Sequence, residues 1–95
     1  MLDGKQKRYL RSLANGLNST FQIGKDGLSE NLYKSLNEYL KANELVKLNV
    51  LKTCDVSLNE IEVNICMNCK CELVQHIGKT LVFYKRSKEN KILLP

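Results

Sequence analysis

One proline, one histidine and no tryptophan occur in these 95 residues, and no apolar run approaches the ~20 residues of a membrane-spanning helix. With so little proline, and no Gly/Ser-rich or low-complexity stretch, a long disordered linker is not expected and residues 1–95 read as one domain. Residues 1–17 lack the roughly 7–15-residue apolar core of a secretory leader, so a cytoplasmic location is expected. The lone His76 has no Ser/His/Asp spacing around it from which a nucleophile and its base could be assembled. Catalysis is not expected. No cofactor fingerprint is present either: the one glycine motif lacks the Lys-Ser/Thr ending of a P-loop and the third glycine of a dinucleotide loop.

Cysteine is present four times, but not in a disulfide pattern. Cys66, Cys69 and Cys71 crowd one segment and Cys54 stands apart. Without a secretory leader, reduced thiols are the default. Cys66-x2-Cys69 has the spacing of half a structural zinc site, yet Cys54 and His76 could complete it only singly, not as a second paired knuckle. A thiol or zinc module on Cys54, Cys66, Cys69 and Cys71 is thus the alternative from another functional class. Small buried thiols, with no metal bound, are the expectation.

Positive charge is in excess, 15 Lys+Arg against 10 Asp+Glu, for a net +5. It is also segregated. Residues 1–15 carry four positive charges and one negative, and residues 79–91 five and one, so the stretch between them is net acidic. Solvation alone does not require this arrangement; a polyanionic partner would use it.

Along the chain, Asp3 and Gln6 have the spacing of a capping box. Leu10, Leu13, Ala14 and Leu17 then recur on one helical face, with Lys5, Arg8 and Arg11 away from it and Gly16 as a stop. Residues 19–24 are a short β-leaning run with Phe21 and Ile23 on one face. After Gly24-Lys25-Asp26-Gly27, a second helix lines up Leu28, Leu32, Leu36, Tyr39 and Leu40. Residues 45–51 alternate as a strand. The next segment fits both periods, but Ser57-Leu-Asn-Glu60 is a capping box and a strand continuing in parallel needs a crossover, so a helix is expected. Residues 72–77 and 80–84 read as a hairpin with Gly78 first in a two-residue type II′ turn. The order α-β-α-β-α-β-β predicts an α/β fold, a four-stranded mixed sheet packed with three helices, and a basic tail from about residue 85.

The glycine loop lies between a strand and a helix. Two glycines permit close backbone approach, a helix N-terminus behind them would present free N–H groups, and Lys25 adds a mobile charge. That combination suits a sugar-phosphate backbone, as in GXXG loops that clamp nucleic acid. A tight βα turn that needs glycine for geometry alone is the competing reading. Most aromatic residues sit at core-periodic positions; Tyr9 and Tyr84 adjoin the basic segments and are the candidates for base stacking.

Three blocks resemble a known family. Gly4-Lys5-Gln6-Lys7-Arg8-Tyr9-Leu10-Arg11-Ser12-Leu13-Ala14 resembles the opening helix of the YhbY-type proteins, the stand-alone bacterial form of the CRM (chloroplast RNA splicing and ribosome maturation) domain. Phe21-Gln22-Ile23-Gly24-Lys25-x-Gly27-Leu28 resembles its signature loop, with Asp26 where glycine or asparagine is usual. Ile77-Gly78-Lys79-Thr80, continuing through Tyr84-Lys85-Arg86-Ser87 to Leu94-Pro95, is similar to its closing hairpin and tail. The resemblance implies a two-layer sandwich like the C-terminal domain of translation initiation factor three. It implies RNA binding and association with precursors of the large ribosomal subunit, with another structured RNA, an intron or a tRNA, as the alternative partner. The implied RNA surface is Gly24, Lys25 and Gly27 with the basic residues of the first helix. Joined to the charge reading, the expected phosphate contacts are Lys5, Arg8, Arg11, Lys25, Lys79, Lys85 and Arg86, on a protein that is monomeric when free.

Overall fold

The computed structural model describes residues 2–95. Helix α1, Gly4–Ala14, starts on the reciprocal box read from the sequence. The Asp3 carboxylate accepts from the Gln6 N–H (2.8 Å) and the Gln6 side chain accepts from the Asp3 N–H (3.2 Å). Strand β1 is only Phe21–Ile23. Helix α2, Glu30–Asn43, begins two residues after the apolar periodicity does: Leu28 packs on the core from the loop, and Ser29 Oγ caps the helix by accepting from the Leu32 N–H (3.1 Å). Strand β2 is Leu45–Val50. Helix α3, Leu58–Cys69, settles the ambiguous segment as a helix, with Ser57 Oγ accepting from the Glu60 N–H (3.2 Å) as half of the expected box. Strands β3, Glu72–Ile77, and β4, Thr80–Tyr84, form the hairpin, and Gly78 at φ 57° supplies the positive φ that a type II′ turn needs at its first position.

The sheet has the order β1-β2-β4-β3. β1 and β2 are parallel, with Phe21 opposite Leu48, while β4 is antiparallel to both β2 and β3. Successive strand side chains point to opposite faces. On one face Val46, Leu48, Leu81 and Phe83 pack beneath Leu36 and Leu40 of α2 and Ile61 and Ile65 of α3. These make the two layers of the sandwich. On the other face α1 lays Leu10 and Ala14 over Leu45, Val74, Val82 and Tyr84. Because both faces are covered there, residues 81–84 of β4 are all buried, an unbroken apolar run in a central strand.

Residues 85–95 form no helix or strand, yet they are tied down. Glu44, between α2 and β2, is fully buried in a left-handed conformation (φ 66°). Its carboxylate accepts from Ser87 N–H (2.6 Å), Ser87 Oγ (2.7 Å) and Ile92 N–H (2.6 Å). Its backbone carbonyl accepts from the Lys85 N–H (2.9 Å). Ile92 and Leu94 then pack beside α1.

Candidate nucleic-acid interface

The Gly24-Lys25-Asp26-Gly27 segment is a closed turn, with the Gly27 N–H donating to the Gly24 carbonyl (2.9 Å) and Lys25 exposed at its tip. Both glycines have a geometric reason. Gly27 stands at φ 61°, where a side chain is strained. A Cβ on Gly24 would come within 3.2 Å of Leu51 Cδ1 and 3.3 Å of Thr53 Oγ1, so the turn is pressed against the β2–α3 connection. The expected helix N-terminus does not open onto this turn. Two residues, Leu28 and Ser29, separate Gly27 from Glu30, and Ser29 takes up the Leu32 N–H, so the turn's own backbone and Lys25 are what it offers a phosphate.

Topology brings other charges to the same end. Parallel pairing puts the C-terminal ends of β1 and β2 together, with Leu51 N–H on the Ile23 carbonyl (2.8 Å). Antiparallel pairing starts β4 there, and Val50 N–H reaches the Lys79 carbonyl (2.7 Å). The glycine turn, the β2–α3 connection and the hairpin turn are therefore neighbours, and exposed Lys25, Lys52 and Lys79 share one end of the sheet. Lys52 was not singled out from the sequence. Its signal is topological: it follows a strand parallel to β1, and only the pairing shows that.

Lys85 and Arg86 are elsewhere. They follow β4, whose direction carries them to the opposite end of the sheet, about 20 Å from Lys79 at ~3.3 Å per residue. Lys85 Nζ donates to Asn37 Oδ1 (3.4 Å) on the α2 side, while Arg86 is exposed. Helix α1 lies across the face between the two ends. Leu2 N–H donates to Glu72 at the start of β3 (2.9 Å), and Lys47 Nζ, midway along β2, donates to the α1 C-terminal carbonyl of Ala14 (3.5 Å). Lys5 and Arg8 are exposed along it. Arg11 is exposed too, but its Nε donates to the carbonyl of Val74 (3.3 Å), the bulged residue where the β3–β4 register shifts. The predicted residues thus fall into a loop end, a helix row and a tail end. They do not make one compact patch. Tyr9 is partly exposed, whereas Tyr84 is buried under α1 and cannot stack on a base.

The zinc alternative fails on distances. Cys69 ends α3, about 18 Å along a 12-residue helix from its start at Leu58, and Cys54 precedes that start. His76 is five residues along a strand from Cys71, again ~17 Å. Among the described residues no group of three or more His, Cys, Asp or Glu side chains is placed to hold a metal. Cys69 and Cys71 are core residues, and His76 braces the hairpin, its Nδ1 2.5 Å from Glu62 Oε1 and its Nε2 3.0 Å from the Gly78 carbonyl. Among the described residues, no helix is long and apolar enough to cross a membrane.

Comparison with known proteins agrees with this architecture. The chain is 47% identical over 91 residues to the probable RNA-binding protein YqeI of Bacillus subtilis (strain 168), covering 96% of this chain and 95% of that one. It is 37% identical over 95 residues to a Haemophilus influenzae protein named RNA-binding protein, covering 99% and 95%. The solution structure of a hypothetical protein from Staphylococcus aureus superposes with a TM-score of 0.82 at 47% identity, over the whole of both chains. The profile of the CRS1 / YhbY (CRM) domain matches residues 2–85. The helices, the mixed sheet with its glycine turn and this match over nearly the full length agree: the chain belongs to the CRS1/YhbY (CRM) domain family.

Proposed function

We propose that this protein is a non-catalytic RNA-binding protein that grips the sugar-phosphate backbone through the loop end of its sheet. The observation that carries this is the convergence of the Gly24–Gly27 turn with Lys25, Lys52 and Lys79, which are far apart in sequence and adjacent in the fold. The relatives' names as RNA-binding proteins support the same chemistry. Lys5 and Arg8 on α1 extend the surface, and Arg86 meets the RNA only where it spans to the far end. The side chains available suit phosphates more than base edges, so shape and backbone are read before sequence. The RNA we assign is that of large-ribosomal-subunit precursors in the cytoplasm, following the family resemblance, with the protein monomeric when free.

Two measurements test this. In a filter-binding assay with structured ribosomal RNA fragments, log affinity falls with log salt, by ~0.7–0.9 per phosphate neutralised. Lys25→Glu weakens binding and flattens that slope by about one contact while leaving the melting temperature unchanged. A flat salt response, or equal loss of folding in Lys25→Glu, overturns the phosphate assignment. In sucrose gradients of a native lysate, the protein migrates with large-subunit particles at low salt and is released at high salt. Migration at the top of the gradient at both salts overturns the ribosomal assignment and leaves RNA binding standing.

A further inference from the structure

Helix α3 ends in a way that RNA binding does not use. Lys70 takes the left-handed conformation (φ 53°, ψ 48°), and the N–H groups of Lys70 and Cys71 both turn back to the Cys66 carbonyl, that of Cys71 at 3.3 Å. In this kind of helix stop the residue after the left-handed one packs against the residue five positions earlier. Here both are cysteines. With 3.3 Å between Cys71 N and Cys66 O, standard backbone dimensions hold the two Cα atoms within roughly 7 Å, against a disulfide range of ~4.4–6.8 Å. The side chains meet, because the Cys71 thiol hydrogen-bonds Cys66, its other acceptor being the Ile65 carbonyl at 3.7 Å.

The two thiols are free and unequal. Cys66 is half-buried and Cys71 buried. The hydrogen bond from Cys71 lowers Cys66 to about 7 against the opposing effect of burial. The same hydrogen bond, then burial, pushes Cys71 up. A large share of Cys66 is therefore thiolate at neutral pH, the form that attacks disulfides. Cys69 points into the core, its thiol donating to the Tyr33 carbonyl (3.8 Å), and Cys54 is at the other end of α3.

We propose that Cys66 and Cys71 are a reversible dithiol site whose substrate is a low-molecular-weight disulfide. The Cys66 thiolate attacks one sulfur of the small disulfide, the S–S bond breaks, and one small thiolate leaves with the bonding pair. Cys71 gives up its proton to that thiolate and attacks the Cys66 sulfur, expelling the second small thiolate. The protein loses two electrons, and two thiols replace the small disulfide. Burial still holds the Cys71 proton once Cys66 is capped, so the mixed disulfide accumulates before the ring closes.

The test uses reduced full-length protein carrying Cys54→Ser and Cys69→Ser, incubated with glutathione disulfide, alkylated and digested with trypsin. Lys70 lies between the two thiols, so trypsin separates peptide 53–70, carrying Cys66, from peptide 71–79, carrying Cys71. The expected result is a glutathione adduct on Cys66 that converts with time to the two peptides joined, whereas with Cys71→Ser added the adduct still forms but persists, about tenfold or more above its late level in the double variant. The unsubstituted chain provides the same time course should the double variant fold poorly, with circular dichroism confirming the native state. A Cys66 adduct that never closes, an adduct that disappears just as fast when Cys71→Ser is added, or no reaction in the folded protein each overturns the proposal.

Discussion

Glu44 is a carboxylate with no access to water, held by donors from a segment more than 40 residues away. Burial raises its pKa, but the hydrogen bonds from Ser87 N–H, Ser87 Oγ, Ile92 N–H and Lys91 N–H outweigh that and set it below the ordinary 4.5. A folded pKa below the unfolded one gives stability that is full above 4.5 and is lost as pH falls through the lowered value. Glu44→Gln is therefore expected to cost about 1–3 kcal/mol in urea unfolding at neutral pH. The deficit relative to the unsubstituted chain should shrink steadily below pH 4.5. A deficit that does not change with pH would mean that shape, not charge, holds the tail. The glycines allow a second discrimination. Gly27→Ala forces a side chain into φ 61° with Val56 Cγ2 at 3.3 Å, and should lower stability by about 1–2 kcal/mol. Gly24→Ala meets only movable side-chain ends, so a smaller loss in thermal melting is expected.

Among the elements, α1 shows how an outward row of like charges divides into two kinds of residue. Lys5 and Arg8 face solvent, whereas Arg11 binds the Val74 carbonyl at the bulge. Arg11→Ala should lower stability by about 0.5–1.5 kcal/mol, and Arg8→Ala should leave the urea midpoint in place while weakening RNA binding. Equal stability losses would refute the division. The sequence could not supply it, because the partner is 63 residues away and the bulge that presents it is a property of the hairpin. What the sequence did disclose was local. The Asp3 box, the Ser57 cap and the Gly78 turn depend on neighbours within a few residues, and all three stand where expected. The apolar stripe that begins on α1 is wider in sequence than in the fold, since Leu13 and Leu17 are each 37% exposed. The helix ends at Ala14, so Leu17 lies beyond it, and of the stripe only Leu10 and Ala14, one turn apart, are buried.

For the molecule as a whole, pairing decided what spacing could not. Lys52 joins the loop end because β1 and β2 are parallel, and Arg86 is separated from it because β4 runs back. Sites ~20 Å apart share no partners, so Lys25→Glu and Arg86→Glu should add in log affinity if one RNA reaches both ends. If Arg86→Glu has no effect, binding is confined to the loop end. The opposite-face placement of α1 also has a temporal meaning. Its seat, Val74, Val82 and Tyr84, lies on the hairpin some 60 to 80 residues later, while α2, β2 and α3 find each other among near neighbours. As the chain leaves the ribosome from its N-terminus, the cationic helix is made first and docks last, after residue 84 has emerged. Until then Lys5 and Arg8 belong to an unanchored basic peptide, and only the arrival of the hairpin gives them a fixed geometry.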